Sequence, residues 1–195
     1  AASFYLAQVT KPETVLVFDF GGGTLDLTVM RADAGQVHEI LATHGVLVGG
    51  DDLDSSLMRR HVAKHFGTES PIDTNFDERP ILFPEDLPDA SAQWQTIPNL
   101  SRPKALSVIK RAKRYSPEPA KFAALEALVT RNHGFALFET IEQTKRKLSD
   151  EERASLEMVA EGINLQLLLT QRAFNAAINE QISDAREGVR KVIAM

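Results

Sequence analysis

Three consecutive glycines, Gly21-Gly22-Gly23, stand between two short apolar stretches, and no amphipathic helical pattern follows them. Upstream, Thr14–Asp19 (Thr-Val-Leu-Val-Phe-Asp) is β-branched and aromatic and reads as a buried strand. Downstream, apolar and polar residues roughly alternate from Leu25 to Met30, which predicts a second strand. The glycines therefore close a hairpin. Such a run can take left-handed conformations and admit close approach by another backbone. Its N–H groups can form an anion-binding concavity with no side chain in the way. A further turn at Asp33-Ala34-Gly35 leads to a third strand over Val37–Thr43, so the chain opens on an antiparallel meander.

The residues around the glycines give the hairpin its chemistry. Thr24 adds a hydroxyl donor, and Asp19 and Asp26 place a carboxylate on each strand beside the concavity. Hard oxygen ligands of this kind suit Mg²⁺, which keeps several waters and bridges to nucleotide phosphates. A phosphate loop flanked by two acids is the equipment of metal-assisted phosphoryl transfer. A Walker loop is excluded, because no Lys-Ser/Thr pair and no helix follow the glycines. A dinucleotide fingerprint is excluded as well, because Asp26 stands where a glycine is needed.

Beyond Gly49-Gly50 the pattern becomes helical, with Leu53, Leu57, Val62 and Phe66 recurring at helical spacing and Asp51 or Asp52 as cap candidates. From Gly67 to Pro103, six prolines with Phe76, Phe83 and Trp94 predict an ordered, irregular excursion. Lys104–Leu148 is mainly helical, broken near Ser116-Pro117 and His133-Gly134. Ala154–Val159 and Ile163–Thr170 form a hairpin turned at Glu161-Gly162, and Thr170 caps a final pair of helices. The opening Ala1–Ala7 has the texture of a helix interior, and the chain stops inside an amphipathic run at Met195, so both ends read as cuts within a longer protein.

The formal net charge is −5, which removes the basic face that a general nucleic-acid binder needs. The chain has no cysteine, which excludes disulfides, thiolate metal sites and a cysteine nucleophile. No apolar run approaches membrane-spanning length and no signal peptide opens the chain, so the expectation is a cytoplasmic protein with no membrane or nucleic-acid partner.

Asp19-Phe20-Gly21-Gly22-Gly23-Thr24-Leu25-Asp26, a meander, and then Gly49-Gly50-Asp51-Asp52-Leu53-Asp54 resemble the second phosphate motif of Hsp70 proteins and the segment after it. A second match is Glu142-Gln143-Thr144-Lys145-Arg146-Lys147-Leu148-Ser149, which resembles the Hsp70 helix that clamps adenosine. Glu142, Lys145, Arg146 and Ser149 fall at i, i+3, i+4 and i+7 and share one helical face. Taken alone, that spacing reads as a solvated charged face. Its place after the meander and before a β-hairpin repeats the Hsp70 order.

The resemblance implies an α/β actin-like ATPase fold (ribonuclease H-like). Residues 1–48 and 184–195 would belong to the larger nucleotide-binding lobe, and 49–183 would form an inserted smaller α+β subdomain. It implies ATP or ADP with Mg²⁺ as ligands and ATP hydrolysis in the full-length parent, driving a conformational switch, with the fragment alone inactive. Gly21, Gly22, Gly23, Thr24 and Gly50 would face the phosphates, and Asp19 and Asp26 would organise Mg²⁺ through waters. Glu142 would meet the ribose, Arg146 would stack on adenine, Ser149 would bond a ring nitrogen, and Lys145 would complete the clamp. Unfolded peptide and co-chaperones would be partners of other parts of the protein. Leu25, where the family usually has Phe, and the long excursion imply a divergent, YegD-like branch. The alternatives are a nucleotide-gated scaffold without hydrolysis and a sugar-kinase-like phosphotransferase of the same superfamily.

Three further features carry blander readings. His61 and His65, at i and i+4, have zinc-ligand spacing, but no third ligand is evident, and surface histidines are the expectation. Lys104, Lys110, Arg111, Lys113 and Arg114 form a basic cluster that reads as a solvated helix face, and Trp94 reads as packing for the excursion.

Overall fold

The computed structural model describes residues 9–71, 92–93 and 95–195. The expected helix at Ala1–Ala7, most of the proline-rich excursion and the packing role of Trp94 lie outside the described residues. The chain divides into two compact units, 1–53 with 179–195, and 54–178.

In the first unit, β1 (Glu13–Phe20), β2 (Leu25–Asp33) and β3 (Gln36–Val46) form an antiparallel sheet in the order β1-β2-β3, the meander expected from the sequence. The β2–β3 turn is Ala34-Gly35, both at positive φ (48° and 78°), the mirror-image geometry that matches strand twist. Alternation along β2 buries Leu25 and Leu27 on one face. Against that face lies the closing helix of the chain, Asn179–Ala194, through Ala185, Val189 and Val192, which recur at the helical spacing i, i+4, i+7. Each fully buried Leu contributes about 2 kcal/mol of transfer free energy. The helix packs on β2 and β3, and β1 is the edge strand on the other side of β2 from β3. That arrangement corrects one expectation: β1 is not a buried strand, since Leu16 and Phe18 are 37% and 52% exposed.

After β3 comes α1 (Gly50–Leu57), whose first turn belongs to this unit. Of the two cap candidates, Asp52 does the capping. Its Oδ2 accepts from the Gly49 N–H at 2.8 Å, the return half of a capping box.

The second unit is a helical layer with a β-hairpin. The helix expected to run through Phe66 changes winding: Met58–Val62 is π-helical, and Ala63–Phe66 is 3₁₀. Leu57 and Val62, both fully buried, are five residues apart, the period of π winding, and Ala63 and Phe66 are three apart, the period of a 3₁₀ turn. After a 3₁₀ turn at Ile97–Ser101 come α2 (Pro103–Tyr115), α3 (Pro119–Thr130) and α4 (Gly134–Asp150). Pro117 and Pro119 enforce the break after α2. The Ser116 hydroxyl holds that break by accepting from Glu118 N–H (3.1 Å) and donating to the Pro71 carbonyl (2.9 Å).

β4 (Arg153–Ala160) and β5 (Ile163–Thr170) pair in unbroken register around Glu161-Gly162. Thr170 then caps α5 (Gln171–Ala177) by accepting from Ala173 N–H, and α6 is the Asn179–Ala194 helix of the first unit. Phe122, Leu125, Leu128, Leu137, Ile141 and Leu156 form the centre of the second unit. Among the described residues, no helix is long and apolar enough to cross a membrane.

Candidate functional site

The loop Gly21–Thr24 is an incompletely closed hairpin. Gly21 N–H donates to Thr24 O at 2.8 Å, but the Gly21 carbonyl accepts from Gly50 N–H (2.9 Å) instead of completing the turn with Thr24. The Gly22 carbonyl is likewise taken by Asp51 N–H at 2.8 Å. The first turn of α1 thus uses two of its otherwise unpaired amides to hold the loop's carbonyls. Three successive backbone donors, the N–H groups of Gly22, Gly23 and Thr24, are left with no hydrogen-bond partner among the described residues. They sit on an exposed loop.

The glycines are needed for a reason other than the one expected. None of Gly21, Gly22 and Gly23 lies in the left-handed region. Close approach is the requirement that remains, and it is severest at a glycine outside the run. A Cβ on Gly49 would overlap the Gly22 carbonyl and stand 2.5 Å from Gly23 N. A Cβ on Gly22 would stand 3.5 Å from Asp51 Oδ1, while one on Gly23 would meet nothing within 4 Å. Sequence reasoning passed over Gly49, although its place in a Gly-Gly pair directly before a helix was a visible signal.

Asp19 and Asp26 are cross-strand partners, and Gly45 of β3 completes their row. Directly opposed residues point to the same sheet face, so two exposed carboxylates share one patch. Thr24 Oγ1 donates to Asp26 Oδ2 at 3.2 Å, which ties the loop's hydroxyl to that patch. Two hard carboxylates side by side are an oxygen donor set that suits Mg²⁺ held partly by water. The Gly50 N–H is committed to Gly21, so Gly50 offers a ligand only its missing side chain.

All four residues expected to hold a nucleoside lie on α4, and their side chains are engaged differently. Arg146 pairs with Glu142 at 2.7 Å on the surface, where the arginine side chain is 76% exposed. Ser149 Oγ donates back to Lys145 O at 3.2 Å. Lys145 turns inward, its ammonium 2.9 and 3.0 Å from the two carboxylate oxygens of Asp54, with both side chains largely buried. Asp54 was not singled out from the sequence. Its signal is position: it lies three residues before Leu57 and four before Met58, on the apolar face of its helix, where a carboxylate needs a partner.

His61 and His65 stand on the π and 3₁₀ turns, with no metal-holding group around them among the described residues. Burial is the main cause lowering the pKa of each. For His61, hydrogen bonding to the Ala173 backbone opposes this and the charges of Lys64 and Arg60 add to it. For His65, Lys64 and Lys121 add to the lowering and Glu69 opposes it. In the basic cluster, Lys113 pairs with Glu126 at 2.9 Å, and the Arg114 guanidinium lies 5.5 Å from the Tyr115 ring centroid.

Residues 1–83 match the family model described as Hsp70 protein. The chain is 36% identical over 80 residues to a chaperone protein DnaK of Endomicrobium trichonymphae, covering 40% of this chain and 13% of that protein. It is 40% identical over 78 residues to the mitochondrial heat shock 70 kDa protein of Dictyostelium discoideum (40% and 12%). It is 41% identical over 92 residues to a chaperone protein dnaK of Guillardia theta (46% and 14%). The matched stretch therefore spans about an eighth of the length of these relatives. The family match takes in the whole meander, the glycine loop and α1, and ends before α4.

Proposed function

We propose, from the match of residues 1–83 to the Hsp70 family model, that this chain is part of the ATP-binding half of an Hsp70-type chaperone and that its glycine hairpin receives nucleotide phosphates. One observation carries the reading: the N–H groups of Gly22, Gly23 and Thr24 have no partner among the described residues, that of Thr24 because Gly50 has taken the Gly21 carbonyl that would have closed the turn. Adjacent unpaired amides on an open glycine backbone suit a phosphate, with no side chain to displace.

Asp19 and Asp26 would orient water around Mg²⁺, which when bound supplies charge neutralisation at the phosphates. Thr24, already bonded to Asp26, would fix the carboxylate's direction. Gly21 and Gly50 would shape the loop, each through a backbone bond it makes within the unit. On α4, Glu142 would accept from the ribose, Arg146 would stack on the base and Ser149 would bond a ring nitrogen. Lys145 would act through its ion pair with Asp54, holding the helix rather than touching ligand.

The same reading makes 1–48 with 184–195 part of an actin-like lobe and 49–183 an inserted subdomain, in a cytoplasmic protein. In the longer protein, ATP hydrolysis would switch conformation and so regulate contacts with unfolded peptide and co-chaperones. This chain alone would not turn over ATP, since phosphoryl transfer depends on positioning that one hairpin does not provide.

Amide resonances test the central assignment. Titration with Mg-ADP should shift the Gly22, Gly23 and Thr24 signals, and adenosine alone should not. Equal shifts with both ligands, or none with Mg-ADP, would remove the phosphate role. In the longer protein, phosphate release from ATP without added sugar supports the chaperone-ATPase reading. Sugar-dependent transfer would point to a phosphotransferase, and binding without release to a scaffold.

A further inference from the structure

The end of α1 that meets the glycine loop has its own amides engaged. Gly49 N–H donates to Asp52 Oδ2 at 2.8 Å, Gly50 N–H to the Gly21 carbonyl at 2.9 Å and Asp51 N–H to the Gly22 carbonyl at 2.8 Å. Asp52 N–H turns back to Gly49 O at 3.2 Å, and Leu53 N–H shares that acceptor at 3.4 Å. A helix N-terminus left bare attracts an anion directly. Here its donors serve the loop and the helix's own cap, so a phosphate meets the loop and not the helix.

The two bonds from α1 to the loop also set what the far side of the loop presents. No peptide bond among the described residues is cis, and in a planar trans peptide the C=O and the N–H point in opposite directions. The Gly21 carbonyl and the Gly22 N–H belong to one such unit, the Gly22 carbonyl and the Gly23 N–H to the next. Both carbonyls face the end of α1, so both N–H groups are turned away from it. Thr24 N–H differs. Its peptide carries the Gly23 carbonyl, which accepts nothing from α1 among the described residues.

A carbonyl that accepts a hydrogen bond gives up electron density, and the N–H of the same peptide becomes a stronger donor, by about 10–30% per bond in a chain. Each of the two chains starts at the positive end of α1, where the aligned peptides amount to about half an elementary charge. The close contact behind this depends on Gly49, where a Cβ would overlap the Gly22 carbonyl.

We propose that the backbone amides of Gly50 and Asp51 are positioning groups of the phosphate site: without touching ligand, they aim the Gly22 and Gly23 N–H groups outward and pass the field of α1 through the two intervening peptides to a bound phosphate. This role rests on the reading of the glycine loop as a phosphate site and ranks its donors, with Gly22 and Gly23 stronger and Thr24 N–H weaker.

Amide-to-ester replacement, made by ligation with the matching α-hydroxy acid, removes one backbone N–H and adds no bulk. At Asp51 it deletes the bond to the Gly22 carbonyl, and at Gly50 the bond to the Gly21 carbonyl. At Asp52 it deletes a bond of α1 that does not reach the loop, which makes it the control. In the unliganded chain the Asp51 ester should move the Gly23 amide proton upfield and the Gly50 ester the Gly22 amide proton, while the Asp52 ester moves neither. Affinity for Mg-ADP, read from titration of the loop amides, should fall about threefold with either loop ester and stay at the unmodified value with the Asp52 ester. The Gly50 ester stands in should the Asp51 ester not fold, which circular dichroism reports. Equal losses of affinity in all three esters would reduce α1 to support for the fold, and unmoved Gly22 and Gly23 signals in the loop esters would overturn the relay. Mg-ADP that moves no loop amide of the unmodified chain would instead remove the phosphate role, an outcome told apart because the ester shifts are read without ligand.

Discussion

Asp19 and Asp26 face each other across the β1–β2 ladder, so the hairpin that presents the glycine loop carries two carboxylates side by side on one sheet face. Like charges in directly opposed positions destabilise a strand pair by about 0.2–1 kcal/mol. The arrangement costs stability unless a cation joins it. Asp19→Asn should therefore raise the thermal midpoint of the chain in low salt without divalent cation, by the equivalent of about 0.5 kcal/mol. In the longer protein the same change should lower kcat for ATP and leave adenosine affinity nearly unchanged. A variant that is both less stable and fully active would remove Asp19 from the metal's surroundings.

Two glycine substitutions in the same hairpin should part company. At Gly49, an added methyl falls on the Gly22 carbonyl, and both partners are backbone, so neither can move alone. Gly49→Ala should cost about 1–3 kcal/mol by overpacking and disturb the Gly22 and Gly23 amides together. At Gly23, a methyl meets nothing within 4 Å and the backbone is not left-handed. Gly23→Ala should leave stability unchanged or raise it by about 0.5 kcal/mol through the unfolded chain. Its effect should instead appear as weaker Mg-ADP binding, measured by calorimetric titration, because the methyl enters the space in front of the free amides.

The meander, the three-helix run and the β4–β5 hairpin were legible because each rests on local signals. Period-two alternation, paired prolines after Ser116 and the Glu161-Gly162 turn all act within a few residues. The exposure of β1 was not legible, because Thr14–Asp19 looks the same whether or not a layer covers it, and α6, which packs on β2 and β3, lies far along the chain. Of the candidate site, the Gly-Gly-Gly-Thr loop and its acids were readable as a motif. The open Thr24 amide was not, since it depends on Gly50 donating to the Gly21 carbonyl nearly thirty residues earlier. Lys145 shows the same limit: its partner Asp54 lies 91 residues away.

The Asp54–Lys145 pair should matter to the fold of the second unit. Both side chains are largely buried, so removing one partner strands a charge. Asp54→Ala or Lys145→Ala should each cost about 3 kcal/mol, and the double change to an apolar pair such as Leu and Met should recover much of that loss. A double-mutant cycle by denaturant unfolding measures the coupling. Additive effects of the two single changes would show that the pair is not coupled.

Acid should weaken the second unit through its histidines. His61 and His65 both have folded-state pKa values lowered from 6.5, chiefly by burial. A depressed histidine binds fewer protons folded than unfolded, so stability is full above the unfolded value and falls as pH drops below about 6.5. His61→Gln and His65→Gln should each flatten the dependence of the unfolding free energy on pH between about 7 and 5. An unchanged slope in the double variant would assign the acid sensitivity to other groups.

The nucleoside role of α4 turns on Glu142 and Arg146, because Lys145 cannot be altered without breaking its link to Asp54. On the surface the two form an ion pair at 2.7 Å with the guanidinium 76% exposed. Such a pair contributes only about 0.3–0.5 kcal/mol to the fold, so either can be removed without unfolding the protein. If they hold adenosine, Arg146→Ala loses stacking on the base and Glu142→Ala loses a ribose partner. Each contact is worth about 1–3 kcal/mol, or roughly a tenfold to hundredfold loss of affinity. Deoxyadenosine diphosphate separates the two roles. Glu142→Ala should shrink the preference for the ribose form, because its partner hydroxyl is what the deoxy ligand lacks, while Arg146→Ala should weaken both ligands and leave the ratio intact. Calorimetric titration of the longer protein with ADP and its deoxy form reads both quantities. Wild-type affinity in both variants would make this face of α4 a solvated pair of charges and leave the glycine hairpin as the nucleotide contact in this chain.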